Sequence, residues 1–119
     1  MRQRPQQTLR QLVEQFPAFE QRWAEEQAAP DDGLVDGVYY RWTHHSVMCA
    51  FAEFFGANRN GFTQHQLARF GNWINEAVSV DDELENAVST CLLEHLHQMD
   101  AKEVLWPYLS QRARRECRA

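Results

Sequence analysis

Long apolar runs, glycine, proline and cysteine are all scarce in this sequence. Its 119 residues include five glycines, four prolines and three cysteines, and so few cysteines at wide spacing indicate reduced thiols rather than a disulfide framework. No apolar run approaches the roughly 20 residues that cross a bilayer. The N-terminal stretch MRQRPQQTLRQLVEQF contains no apolar segment of the kind found in secretory signals. These absences predict a cytoplasmic protein that does not bind a membrane.

Enzyme signatures are also missing. The sequence contains no phosphate-cradling glycine loop, no G-x-S-x-G elbow and no H-E-x-x-H pair. His44 and Cys49 can be combined with scattered acids into a catalytic set, but any chain of this length offers such combinations by chance. We therefore predict that the protein is not an enzyme, and we assign no catalytic residue and no cofactor.

Two cysteine–histidine pairs raise the question of a metal site. His45 and Cys49 are four residues apart, as are Cys91 and His95, and residues at this spacing share one face of a helix. Together the four would make a Cys2His2 zinc site, although the tight C-x-x-C loop usual in structural zinc sites is missing. Cysteine is often buried simply as a small apolar residue. We favour core cysteines over zinc, and whether the four side chains converge stays open.

The segment at 29–42 contains glycine and proline and has no helical period, so it is predicted to be a loop. Its DDGLVDG stretch begins like a calcium-binding loop, but Leu34 and Thr43 stand where two ligands would be required. We therefore predict no calcium site. The following GVYYRW is rich in the residue types that dominate interface hot spots.

Apolar residues recur at helical spacing through most of the remaining chain. A content of 44% hydrophobic and 12% aromatic residues predicts one packed domain over 1–119, with 1–7 and 113–119 as flexible arms. The fold class is all-α. We expect a compact irregular bundle of about five to six helices, with a helical hairpin near 63–99.

Five helical segments are predicted in chain order. The first carries Leu9, Leu12, Val13 and Phe16 and is broken at Pro17, and the second carries Phe19 and Trp23. The third, at 44–55, is apolar on several faces and so should be central. The fourth opens with a Thr63–Gln66 capping box and runs to about Val78. Its inward-facing residues are Leu67, Phe70, Ile74, Ala77 and Val78, and at Gly71 another helix can approach closely. The fifth covers 81–99 with Asp81 as its N-cap, and a proline-interrupted helical piece follows around VLWPYL.

Acidic residues dominate the body of the chain. The net charge is −5 at pH 7, but residues 11–110 contain five basic and sixteen acidic residues and so carry −11. Such a surface disfavours binding to phosphate backbones and favours a protein partner with a basic surface. We interpret the arginines after residue 110 as a solvated helix end, where cations are favourable without a ligand. No direct contact with nucleic acid is predicted.

Acidic and aromatic residues are therefore the candidates for contact with the partner. For acids that open the 81–96 stretch the alternative is a structural role, because negative charge stabilises the start of a helix. For the other acids the alternative is a solvated surface, and for the aromatics a place in the core. The predicted partner-binding residues are Asp31, Asp32, Asp36, Tyr39, Tyr40, Glu76, Asp82, Glu85 and Glu94.

Three stretches carry a family resemblance. LVEQFPAFEQRW at 12–23, FAEFF at 51–55 and LARFGNWINEAVSVDDELENAVSTCLLEHL at 67–96 resemble a family of small uncharacterised bacterial all-helical proteins. Proteins of this appearance are often immunity-like, made beside polymorphic toxins to protect the producing cell, and the resemblance implies no catalytic residue. The leading hypothesis is an immunity protein that binds and neutralises a cognate cytosol-acting toxin or effector by occluding it. The alternative is an acidic helical adaptor or scaffold module that binds another protein.

Overall fold

The structure is a computed structural model that describes residues 3–28, 43–79 and 82–117. Within these ranges the chain is helical with no strand, so the predicted all-α irregular bundle is confirmed. The helices are α1 (Pro5–Gln15), α2 (Phe19–Ala28), α3 (His44–Ala57), α4 (Gln64–Ala77), α5 (Glu83–Ala87), α6 (Lys102–Leu105) and α7 (Gln111–Glu116). The first helix thus begins inside the predicted N-terminal arm, and the last lies partly inside the C-terminal one. The predicted loop at 29–42 lies outside the described residues.

Hydroxyl caps open the two longest helices. Thr63 Oγ1 accepts from the Gln66 amide at 3.1 Å, and Gln66 Oε1 accepts from the Thr63 amide at 3.0 Å. This is the reciprocal capping box predicted for α4, and it satisfies two backbone donors that the helix cannot pair. Thr43 caps α3 in the same way, through the Ser46 amide at 3.0 Å. Both helices therefore begin where side chains replace the missing backbone partners.

All seven phenylalanines of the sequence meet in one aromatic cluster that forms the centre of the core. The ring of Phe16 lies 5.0–6.5 Å, centroid to centroid, from five of the others. The cluster consists of Phe16, Phe19, Phe51, Phe54, Phe55, Phe62 and Phe70. The cluster joins the turn after α1, the start of α2, α3, the turn between α3 and α4, and α4. As predicted, α3 is buried on several sides and is the central helix.

Gly71 is where the chain after α6 presses against α4. A Cβ atom at this position would lie 2.5 Å from Tyr108 Cβ and 2.7 Å from the Tyr108 carbonyl oxygen. The Asn75 side chain fixes the same crossing, since Nδ2 donates to Tyr108 O at 3.2 Å and Oδ1 accepts from the Ser110 amide at 2.8 Å. The predicted role of Gly71 in close approach is confirmed, although its neighbour is a 3-10 turn, Trp106–Tyr108, rather than a long helix.

Gly71→Ala is expected to destabilise the protein. Relief of the glycine penalty in a helix would add up to about 1 kcal/mol, but overpacking against backbone costs about 1–3 kcal/mol, so we expect a net loss of roughly 1–2 kcal/mol. Gly61→Ala is the matched control, because its added Cβ would meet only the Asn58 carbonyl oxygen, at 3.4 Å. Urea unfolding measures both. Equal stability of the two variants would show that α4 and the Tyr108 turn are not held this close.

The segment 83–99 differs from the single long helix predicted for it. The α5 helix gives way to a π-helical turn at Val88–Leu92 and a 3-10 turn at Leu93–His95. Thr90 contributes to the break, because its hydroxyl donates to the Asn86 carbonyl at 2.8 Å and so competes with the helix hydrogen bonds. The N-cap is Asp82 and not the predicted Asp81, since Asp82 Oδ1 accepts from the Glu85 amide at 3.0 Å.

The packing of this segment differs from the predicted hairpin as well. In the predicted hairpin this segment would pack chiefly against α4, but residues 83–92 pack chiefly against α3. The segment ends at Asp100, the only non-glycine residue of the described chain with positive φ, at 55°. There the Ala101 amide donates to the Leu96 carbonyl at 2.9 Å, which closes the last turn. The predicted proline-interrupted piece follows as α6, the 3-10 turn and α7.

Candidate functional site

An acidic cleft lies where α1, the C-terminal half of α4 and the start of α5 meet. Its volume is about 210 Å³. The lining residues are Gln3, Gln11, Trp73, Glu76, Ala77, Asp82 and Leu84. Two of the predicted partner-binding residues, Glu76 and Asp82, are therefore brought to one place although α4 ends and α5 begins between them. We call this feature the acidic cleft.

Trp73 and Gln11 build the fixed wall of the acidic cleft. One face of the indole stacks on Phe70 at a centroid distance of 5.8 Å, which ties the wall to the aromatic cluster. The indole Nε1 donates to Gln11 Oε1 at 2.8 Å, and Gln3 Nε2 donates to the same oxygen at 2.9 Å. A half-buried Trp with its N–H satisfied offers a rigid apolar surface with little conformational freedom to lose on binding.

A buried polar circuit behind this wall joins it to α3. Gln3 Nε2 also donates to Thr8 Oγ1 at 2.8 Å, and Thr8 Oγ1 lies 3.2 Å from His44 Nδ1. His44 Nε2 must be the donor to the Gln3 carbonyl, 2.9 Å away, because a carbonyl only accepts. Thr8 is 0% exposed and His44 5% exposed, so the circuit supplies the hydrogen bonds that buried polar groups need. His44 is thus part of a structural network.

The carboxylates of Glu76 and Asp82 make the cleft negative. Glu76 is exposed on the last turn of α4, and Asp82 is half-buried at the start of α5. No lysine or arginine is among the described residues that line the cleft. Asp82 has a structural role too, because it caps α5. The arrangement fits a cationic group that enters from solvent and lies between the two carboxylates, beside the Trp73 ring.

The other predicted partner-binding residues fall into two groups. Asp31, Asp32, Asp36, Tyr39 and Tyr40 lie outside the described residues. Glu85 follows Asp82 along α5, and Glu94 lies near Cys91, neither of them lining the cleft. Sequence reasoning missed Gln3, Gln11 and Trp73. A signal existed for Trp73 only, because a tryptophan beside an apolar helical stripe needs a partner for its N–H.

Of the four side chains in the two cysteine–histidine pairs, the two sulfur atoms are in contact and the histidine rings have other hydrogen-bond partners. Cys49 Sγ and Cys91 Sγ are 2.8 Å apart, whereas His95 Nδ1 pairs with Gln98 Oε1 at 2.8 Å and the His45 ring lies near Asn86. The π-helical turn alters the helical register between Cys91 and His95, so the assumption that four-residue spacing gives one shared face fails there. In the described ranges no group of three or more His, Cys, Asp or Glu side chains is placed to hold a metal ion.

The expectation that the cysteines belong to the core is correct for Cys91 and wrong for Cys49. Cys91 is 8% exposed and packs in the core, but Cys49 is exposed on α3. Cys49 lies at the solvent-facing side of α3, which is apolar on several faces. In such a helix, periodicity alone does not show which of the apolar residues are exposed. Cys117 is partly buried beside the core.

Fold and cleft together define a small all-helical domain with an acidic cleft on its surface. No helix in the described ranges is long and apolar enough to span a membrane. The chain belongs to a family described as a domain of unknown function (DUF7674), whose model matches residues 9–119. No curated protein and no solved structure matches the chain.

Proposed function

We propose that this protein is a bacterial immunity protein that binds a toxin or effector acting in the cytoplasm and neutralises it by occluding its active surface. The observation that carries the proposal is the acidic cleft, in which Glu76, Asp82 and Trp73 line one opening. The excess of acids over residues 11–110 supports it, because a toxin that acts on nucleic acid or a nucleotide has a basic surface.

The size of the cleft supports a protein partner over a small metabolite. Pockets for small molecules usually have volumes of about 300–1,000 Å³ and are mostly apolar, whereas this cleft has about 210 Å³ and two carboxylates. A space of this size suits one long side chain. An arginine is the best fit, because its guanidinium pairs with carboxylates through two parallel hydrogen bonds and also stacks on an indole.

Occlusion is the favoured mode of neutralisation because the cleft has the character of a hot spot. A rigid Trp, fixed by Gln11 and Phe70, would receive the partner's side chain without rearrangement, and surrounding contacts would exclude water. The partner's arginine or lysine would then be unavailable to its own substrate. Inhibition in this form needs no catalysis by the immunity protein and no cofactor.

The test is capture of the protein encoded beside this one, followed by a growth assay. We expect the purified chain to bind that neighbour as a discrete complex, and co-expression to restore growth of cells that the neighbour alone kills. Binding without any toxicity of the neighbour would contradict the immunity role and leave an adaptor. Absence of binding to a neighbour that is toxic would contradict the partnership itself.

A further inference from the structure

Cys49 and Cys91 form a close pair of thiols that belong to different parts of the fold. Their sulfur atoms are 2.8 Å apart, so they need to approach by only about 0.8 Å to reach disulfide bonding distance. Cys91 is held in place on its inner side, since its thiol lies 3.6 Å from the His45 carbonyl oxygen and 3.9 Å from Thr90 Oγ1. Cys49 is an exposed residue and Cys91 a buried one.

The backbone around Cys91 is unusual in a way that often accompanies a functional residue. Cys91 lies within the π-helical turn at Val88–Leu92, and such turns are rare and occur frequently at functional sites. Residues 83–92 pack chiefly against α3, and Cys91 meets Cys49 across this contact. The pair therefore joins α3 to an irregular part of the backbone.

We propose that Cys49 and Cys91 are a redox-active dithiol, in which exposed Cys49 reacts with hydrogen peroxide and buried Cys91 resolves the product to a reversible disulfide between α3 and the π-helical turn. This is independent of the proposed function, because it concerns a different surface from the acidic cleft. A thiol switch usually requires an accessible, reactive cysteine beside a second cysteine that resolves the oxidised product, and Cys49 and Cys91 are arranged in this way.

The chemistry proceeds in two balanced steps. The Cys49 thiolate attacks one oxygen of the peroxide, the O–O bond breaks, and Cys49 becomes a sulfenic acid while the departing hydroxide takes up a proton to give water. The Cys91 sulfur then attacks the Cys49 sulfur, the S–OH bond breaks, and the proton of the Cys91 thiol leaves with that hydroxide as a second water. Overall, two thiols and one peroxide give one disulfide and two waters.

Hydrogen bonding within the pair assigns these roles. Once Cys49 is ionised, only the Cys91 thiol can donate, and this hydrogen bond lowers the pKa of Cys49 to about 7; nearby His95 acts in the same direction, while partial burial and Glu53 oppose it. The same hydrogen bond, together with burial and nearby Glu94, raises the pKa of Cys91. Near neutral pH Cys49 is therefore substantially ionised, and Cys91 keeps the proton that the second step requires. Burial raises the pKa of Cys117, so Cys117 serves as the reference thiol.

The direct test is oxidation of the folded, full-length chain with one equivalent of hydrogen peroxide. We expect three free thiols to fall to one, with loss of two hydrogen atoms from the intact mass and recovery of all three thiols on addition of dithiothreitol. Trypsin cleaves after Arg59 and Arg69, between the two cysteines, so the disulfide will appear as two linked peptides. Cys117→Ser should behave as wild type.

Two further variants separate the roles. Cys91→Ser should stop at the Cys49 sulfenic acid, which dimedone traps, and Cys49→Ser should show neither product. Cys49 is exposed, so Cys49→Ser is expected to fold. If Cys91→Ser, a change at a buried residue, does not fold, Cys49→Ser still tests the proposal. Linkage through Cys117, dimers between chains, or oxidation of Cys49 to the sulfinic acid without any disulfide in the wild-type chain would overturn the proposal.

The pH dependence of alkylation provides a second measurement. The rate at which iodoacetamide modifies Cys49 should rise with a midpoint near pH 7. In Cys91→Ala the midpoint should move up toward that of an ordinary thiol, because the hydrogen-bond donor is gone while Glu53, His95 and Glu94 remain. An unchanged midpoint in that variant would show that the two sulfur atoms do not interact.

Discussion

Replacement of Phe70 with alanine is expected to lower the free energy of unfolding by about 3–5 kcal/mol. The Phe70 side chain is 0% exposed, and its ring lies 5.1–5.4 Å from those of Phe16, Phe51 and Phe55. The variant loses both the burial of the ring and its contacts in the aromatic cluster, and the surrounding rings cannot close the cavity without leaving their rotamers. Ile74→Ala, one turn further along α4 and also 0% exposed, should cost about 2–5 kcal/mol.

Asp82→Ala is the reference change for this series. It removes an N-cap hydrogen bond and a favourable interaction with the start of α5 but no core contact, so its cost should be about 1 kcal/mol. Urea unfolding followed by circular dichroism gives all three values. A larger loss for Asp82→Ala than for Phe70→Ala would mean that the inner face of α4 has been assigned to the wrong residues.

Reversal of the charge in the acidic cleft is expected to slow association with the proposed toxin partner by about tenfold or more. The change is Glu76→Lys combined with Asp82→Asn, which together alter the net charge by about +3 at neutral pH. Asparagine is as good an N-cap as aspartate, so α5 keeps its start while the cleft loses its negative charge. An arginine approaching Trp73 then meets repulsion from the introduced lysine in place of the attraction that steers and orients the encounter.

Glu20→Lys combined with Glu25→Gln is the matched control. Both residues are exposed on α2, the net charge changes by the same amount, and neither residue lines the cleft. Binding kinetics at two salt concentrations distinguish a local from a general effect, because screening reduces exposed charge interactions beyond about 8 Å at physiological ionic strength. Equal rates for the cleft variant and the control would place the interface elsewhere.

Much of the fold could be predicted because its signals are local. The Thr63–Gln66 capping box, the break at Pro17 and the inward stripe of α4 each depend on residues within one or two turns of each other. The apolar character of 44–55 on several faces indicated the central helix for the same reason. These features are properties of a helix by itself, and tertiary contacts only confirm them.

The region from 83 to 99 shows where this reasoning stops. Its apolar spacing fits one continuous helix, yet the Thr90 hydroxyl competes for the Asn86 carbonyl and the backbone widens into a π-helical turn. The turn packs against α3, and periodicity along one segment does not reveal such tertiary contacts. The error then extended to the Cys91–His95 pair, since its predicted alignment assumed α-helical spacing.

The candidate site was predictable only in part for a similar reason. The excess of acid indicated a negative surface, and Glu76 and Asp82, both among the predicted partner-binding residues, line the same cleft. The wall opposite them could not be predicted, because Gln3 and Gln11 approach Trp73 from more than sixty residues away in sequence. Gln3 lies just before α1 and Gln11 within it, both half-buried, and no sequence pattern marks a glutamine at such a position as part of a cleft.

The most direct test of the central claim is amide hydrogen exchange of this chain with and without the proposed toxin partner. If the toxin binds at the acidic cleft, exchange should slow at the end of α4 and over residues 82–87, where the first amides of α5 are not paired within the helix. The control variant Glu20→Lys, Glu25→Gln should give the same pattern. Protection confined to α7 and to the surface around Cys49, with unchanged exchange at 74–87, would contradict the account.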